Sequence, residues 1–249
     1  QSTECSATIS LDAKPVERRD VERVMRAAVA QGQRADRHTI HLLPVDHALD
    51  GVRGIRDPRG MVGEALTLHM HQLTVDSAPV RNIEMAINRA HLSVETIVST
   101  PYASGLATLV NDELELGCAV VDMGAGTTSL AVFNEGRFVH ADYIPIGGHH
   151  VTLDLARGLS CGIDEAERLK TMHGSVIATS VDETDMIQLA AIGHGDVSGG
   201  QHVSRSLVNR IIAARVEETL EMLRDRINSS GYSSTVGKRV VLTGGASQM

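Results

Sequence analysis

The spacing of apolar positions sets out a small mixed module followed by a larger region of buried strands and helices. Between residues 16 and 31, Val21, Val24, Met25, Ala28 and Val29 fall on one face of a helix, and Gly32 supplies a stop. Residues 38–49 read as a strand in which Pro44 marks an edge or a bulge. Residues 50–63, glycine-rich and holding Asp57-Pro58, read as loop. Residues 65–75 alternate Leu66, Leu68 and Met70 against Thr67, His69 and His71, which predicts a half-buried strand. A second helix is predicted over residues 79–92 on Val80, Ile83, Ile87 and Ala90. Residues 13–93 therefore predict a compact α+β module, and the strand predicted over residues 6–12 is expected to end something that precedes it.

The pattern changes at Val94. Residues 94–100 read as a strand, and residues 101–110 as a helix opened by Pro101. Residues 118–122 (Cys-Ala-Val-Val-Asp) form an unbroken apolar run ending in a carboxylate, as a strand buried on both faces would. Residues 129–133 and 137–144 predict a hairpin turned through Asn134, Glu135 and Gly136. Short helices follow at residues 152–160 and 164–174. One long helix is predicted over residues 203–230, with the stripe Val208, Ile212, Val216, Leu220, Leu223 and Ile227. Residues 239–243 give a last buried strand that breaks into Gly244-Gly245. The expected organisation is thus residues 1–12, the module 13–93, and a second domain 94–249 with core strands in 94–160 and 238–249 and a helical part in 161–237.

Composition narrows the function. The net charge of −8 and an aromatic content of 2% with no Trp oppose nucleic-acid binding, which needs basic surfaces and stacking platforms. Cys5, Cys118 and Cys161 are far apart and odd in number, so they form no disulfide framework and suit a reducing compartment. No apolar run approaches the roughly 18 residues of a membrane span. The chain opens on Gln1 and closes just after Gly244-Gly245, and it is expected to be part of a longer protein.

Three stretches carry chemistry. In the first, a buried strand ends at Asp122, and Gly124, Ala125, Gly126, Thr127 and Thr128 turn the chain into the next strand. Such a turn can aim successive backbone N–H groups at one point and cradle an anion, with the threonine hydroxyls as further donors. Asp122 can hold Mg²⁺ through water. A plain hairpin with a glycine turn fits the same residues. No Gly-Lys-Ser/Thr follows, and a strand rather than a helix comes next, so neither a Walker loop nor a dinucleotide fingerprint is present. In the second, Gly244, Gly245 and Ala246 leave room for a flat ring or a ribose against the backbone. In the third, Glu167 and Lys170 share a helix face, suited to a ribose hydroxyl and a base. Asp164 and Glu167 also fit a capping box, which would occupy the same carboxylate. His69 and His71 share a strand face without further ligands in view. His149 and His150 read as polar loop residues, and Arg205, Arg210 and Arg215 read as a solvated helix face.

In this order, the three stretches resemble the actin-like ATPase pattern: a second phosphate loop, an Ala-Glu-x-x-Lys helix, and an adenosine motif. The resemblance implies an α/β fold of ribonuclease-H-like domains with a small inserted α+β module, binding ATP and Mg²⁺. Within that superfamily, residues 144–159 (IPIGGHHVTLDLARGL) and the character of residues 13–93 resemble the FtsA family of bacterial cell-division proteins. That resemblance implies a scaffold at the division site on the cytoplasmic face of the inner membrane. It also implies binding of the FtsZ C-terminal tail, with Arg210 and Arg215 as candidate contacts, self-association into filaments, later division proteins met through residues 13–93, and a membrane helix beyond Met249. A PilM-type pilus-assembly scaffold, or a kinase or chaperone ATPase of the same superfamily, is the alternative.

Two departures matter. No first phosphate loop precedes residue 13, so this chain by itself is expected to bind ATP weakly or not at all. Where the related rod proteins and chaperone ATPases place a Glu-Pro dipeptide, this chain has Thr100-Pro101, and a threonine cannot act as a carboxylate base for the attacking water. Slow hydrolysis is therefore expected of the full-length protein; a steady-state phosphate-release assay giving tens of turnovers per second would contradict it.

Overall fold

A computed structural model describes residues 1–32, 37–177, 179–189 and 202–249. The elements are β1 (Ser2–Pro15), α1 (Arg18–Gly32), β2 (Arg37–Leu49), β3 (Val52–Ile55), β4 (Val62–Asp76), α2 (Ser77–Arg89), α3 (Thr100–Thr108) and α4 (Asn111–Leu116). They continue as β5 (Cys118–Met123), β6 (Thr128–Asn134), β7 (Arg137–Ile144), α5 (Gly148–Gly158), α6 (Ile163–His173), β8 (Met186–Gln188) and β9 (His202–Ser204). The last are α7 (Arg205–Ser229), α8 (Ser233–Val236) and β10 (Val240–Thr243), followed by a 3₁₀ turn at Gly245–Gln248. The chain divides into two compact units. The first comprises Gln1–Ala119, Ala131–Asp142 and Thr235–Arg239; the second comprises Val120–Leu130, Tyr143–Ser234 and Val240–Met249.

The first unit is built on a four-stranded sheet in the order β1-β4-β2-β3. β4 runs antiparallel to both β1 and β2, with Ala7 opposite Leu68 and Leu42 opposite Gln72. The alternation along β4 does what its period dictates: Leu66, Leu68 and Met70 are buried and pack with Val24 and Ala28 of α1. Burying each such side chain stabilises by about 1.5–3 kcal/mol. The strand expected over residues 6–12 as the end of a preceding element instead runs from Ser2 to Pro15 as an integral strand of this sheet. Within residues 50–63, expected to be loop, β3 pairs with β2. Pro44 sits beside a register shift in β2, as its missing N–H requires.

The other face of β4 is aromatic. His71 lies edge-on to Phe138 at 4.7 Å between ring centroids, and Tyr102 of α3 lies 5.1 Å from the same ring. Phe133 is 5.4 Å from Phe138, and α3 reaches it through Gly105, where a Cβ would lie 2.2 Å from the ring. Burial, followed by the charges of His140 and His41, lowers the His71 pKa to about 4 despite a hydrogen bond with the Phe138 backbone. His71 Nε2 is 2.7 Å from the Ser2 hydroxyl, and His69 Nδ1 is 2.9 Å from Glu4. Among the described residues no cluster of His, Cys, Asp and Glu is suited to a metal.

Residues 94–99 form no strand, contrary to their β-branched composition. Val98 is exposed, and among the described residues this segment pairs with no strand; without a partner strand, strand propensity carries little weight.

A second sheet has the order β10-β5-β6-β7. Residues 118–121 are fully buried, as their apolar run predicts. β6 and β7 are joined through Glu135 (φ 51°) and Gly136 (φ 75°), the left-handed pair of a tight hairpin. In the second unit, α5, α6 and α7 surround a core of Val151, Leu155, Leu169, Val208 and Ile212. α7 spans Arg205–Ser229, and its predicted stripe is buried at Val208, Ile212 and Leu223 while Leu220 is exposed. No helix among the described residues is long and apolar enough to cross a membrane.

Replacing Phe133 with Ala would remove a ring that α3 and β7 both pack against. The expected cost is about 3–5 kcal/mol, read as a lowered denaturant midpoint in urea unfolding; a shift worth under 1 kcal/mol would contradict this account of the cluster.

Candidate functional site

The second unit holds a cavity of about 500 Å³. Its walls bring together residues from all three motif stretches: Gly124 and Ala125, Glu167 and Lys170, Gly245 and Ala246.

The turn after β5 is held from behind. The N–H of Gly148 donates to Gly124 O at 2.9 Å, and the N–H of His149 donates to Ala125 O at 2.8 Å. A trans peptide points its N–H opposite to its C=O. With both carbonyls tied to the start of α5, the N–H groups of Ala125 and Gly126 face the other way. Neither has a hydrogen-bond acceptor among the described residues. Two adjacent outward N–H groups are what an anion cradle requires. Gly147 makes the close approach possible, since a Cβ there would lie 2.5 Å from Gly124 O and 2.6 Å from Ala125 O. By contrast, a Cβ at Gly126 would meet nothing within 4 Å.

The threonines separate. Thr127 is exposed in the turn. Thr128 is fully buried and its hydroxyl donates to Ile146 O at 2.8 Å, so it braces the strand rather than offering a donor to a ligand. Asp122, Gly126, Thr127, Thr128 and Gly244 lie outside the cavity wall. Gly244 has φ +89°, and a Cβ there would lie 2.5 Å from Asp122 Oδ1, so the Asp122 carboxylate rests against the glycine backbone at the end of β10.

Glu167 and Lys170 form one hydrogen-bonded group with Thr152 of α5. Lys170 Nζ donates to Glu167 Oε2 (2.6 Å), Thr152 Oγ1 (2.9 Å) and Gly148 O (3.2 Å), which uses all three ammonium donors. The Thr152 hydroxyl donates to Glu167 Oε2 at 2.5 Å. Burial pushes the Glu167 carboxyl up, but hydrogen bonds from Lys170 and Thr152 and the Lys170 charge outweigh it, so the group sits below its ordinary value. Both bonds fall on Oε2. Oε1 remains for a ligand hydroxyl, while Lys170 can offer only its methylenes. The capping box with Asp164 does not form, because α6 starts at Ile163 behind Gly162 and has no side-chain cap.

His149 and His150, read from the sequence as loop, lie in the first turn of α5. His150 Nδ1 accepts from the Gly147 N–H at 3.2 Å, and exposed His149 lines the cavity. The signal for this was present: Gly147-Gly148 followed by Val151, Leu155 and Leu159 at helical spacing, which places the helix start four residues before Thr152. Of the candidate partner contacts, Arg215 is bound within the unit, with Nε 2.6 Å from Asp154 and Nη1 2.6 Å from Glu218. Arg210 is exposed.

These features define an actin-like fold. MreB5 of Spiroplasma citri, solved bound to ADP, superposes with TM-score 0.56 at 17% identity over 69% of this chain and 54% of that one. A PilM–PilN type IV pilus biogenesis complex superposes with TM-score 0.55 at 13% identity over 99% and 60%. The family model for cell division protein FtsA matches residues 119–249, and that for the SHS2 domain inserted in FtsA matches residues 1–74. The chain belongs to the FtsA family. It is 56% identical over its whole length to cell division protein FtsA of Rhizobium meliloti (strain 1021), covering 56% of that protein. It is 28% identical over 97% of its length to that of Escherichia coli (strain K12), covering 58%. The chain thus spans little more than half the length of the curated relatives it matches.

Replacing Gly147 with Ala is expected to break the two main-chain bonds that hold the turn. At about 1 kcal/mol for each bond, amide hydrogen exchange at Gly148 and His149 should accelerate more than tenfold. Unchanged protection at both would show that the turn is held by something else.

Proposed function

We propose that this chain forms the adenosine-and-phosphate wall of an ATP site in an actin-like cell-division scaffold. The convergence of Gly124-Ala125, Glu167-Lys170 and Gly245-Ala246 on one cavity carries the reading. Its volume suits a nucleoside. In this reading the Ala125 and Gly126 N–H groups take a phosphate, Glu167 Oε1 accepts from a ribose hydroxyl, and the Lys170 stem with Gly245 and Ala246 packs on the base. Thr127 is the remaining hydroxyl donor of the turn. Asp122 at the end of β5 would hold Mg²⁺ through water, the phosphates supplying the direct ligands. The chemistry ATP supplies when bound is phosphoryl transfer, and Thr100 in place of a carboxylate makes that transfer slow.

Family membership supports the wider role: a scaffold that binds the FtsZ C-terminal tail, self-associates into filaments, meets later division proteins through the module, and works peripherally on the inner membrane at the division site. For the acidic tail, exposed Arg210 is the better contact, because Arg215 already carries two carboxylates. Similarity to the PilM–PilN complex is one of fold, and no observation here favours the pilus role over division.

In the full-length protein, Glu167→Ala should weaken ATP binding at least tenfold in a calorimetric titration, and Arg210→Glu should weaken binding of an FtsZ tail peptide while leaving ATP affinity intact. Unchanged ATP affinity would remove the cavity as the nucleotide site, and unchanged peptide affinity would remove Arg210 as a contact.

A further inference from the structure

The charge balance of the cavity leaves a position to fill. A nucleotide brings several negative charges, and a wall made of two backbone N–H groups answers only part of them. Lys170 does not answer the rest: its side chain is 11% exposed, its three donors are spent within the unit, and its charge lies against Glu167. The remaining cavity-lining side chain able to carry a positive charge is His149. Among the described residues its imidazole has no hydrogen-bond partner, and it acts electrostatically on the Glu167 carboxylate, which is already paired to Lys170. The His149 N–H donates to Ala125 O at 2.8 Å, which fixes its backbone against the turn whose opposite edge offers the anion cradle, and its side chain lines the same cavity as Gly124 and Ala125.

We propose that His149 is a phosphate-reading residue of this site, contacting the phosphate chain of a bound nucleotide and setting preference for nucleoside di- and triphosphates over the bare nucleoside. The proposal rests on the nucleotide reading above. It assigns to His149 a task separate from those of Glu167 and Lys170, which face the sugar and the base. A hydrogen bond from an imidazole to a charged phosphate oxygen is stronger than one between neutral groups. Its loss therefore shows only with ligands that carry phosphate.

The test uses the full-length protein with ATP, ADP and adenosine as probes, titrated in the presence of Mg²⁺. His149→Ala should weaken ATP and ADP roughly tenfold while changing adenosine less than twofold. His149→Arg, which restores a cation at the same place, should recover most of the loss. An equal loss for all three ligands would show that His149 only supports the turn, and no loss for any would show that it does not touch the ligand; either result overturns the proposal. A wild-type protein that binds none of the three would instead overturn the nucleotide reading, and this inference with it.

Discussion

The two hydrogen bonds from Gly148 and His149 to the carbonyls of Gly124 and Ala125 are the constraint on which the site depends. A glycine-rich turn has many conformations, and most of them point its N–H groups in unrelated directions. Tying two successive carbonyls to the start of a helix removes that freedom and turns the opposite edge of the turn into a row of donors. The tie uses donors that the first turn of α5 would otherwise leave unmatched, so each side satisfies the other. Gly147 is needed because nothing larger than hydrogen fits between the two backbones.

α5 then carries the arrangement outward. Thr152, one turn along, joins Glu167 and Lys170 of α6. Asp154 takes the guanidinium of Arg215 on α7. Val151 and Leu155 on the same helix lie in the core shared by α6 and α7. The helix that holds the glycine turn therefore also holds the Glu167 carboxylate. Its polar residues face neighbouring helices through specific pairs, and its apolar ones face the core, as the spacing of Val151, Leu155 and Leu159 requires.

Much of this was legible in the sequence, and the exceptions have physical causes. The strands of β4 and β5 were plain because their period and their unbroken apolar run report burial directly. Each of the three motifs alone fitted an ordinary turn or cap, and only their order along the chain singled them out. What the sequence hid were the competitions for a single group. Glu167 fitted both a cap and a ligand contact, and the start of α6 at Ile163 behind Gly162 removes the cap. Thr128 and Thr127 are adjacent and identical in type, yet one faces the core and the other solvent. Lys170 was read with Glu167 as facing a ligand, but two of its three acceptors, Thr152 and Gly148, come from α5, which its own helix pattern could not show. Residues 94–99 were misread as a strand because propensity cannot show whether an edge is available to pair with.

The clamp on the turn has a further consequence, which concerns evolvability. It is made between main chain and main chain, so it asks nothing of the side chain at position 149. The scaffold and the chemistry at this corner of the cavity are thereby uncoupled: mutation can exchange an imidazole for an amide, a guanidinium or a methyl group without loosening the cradle. The architecture of the turn is thus independent of the side chain carried at position 149.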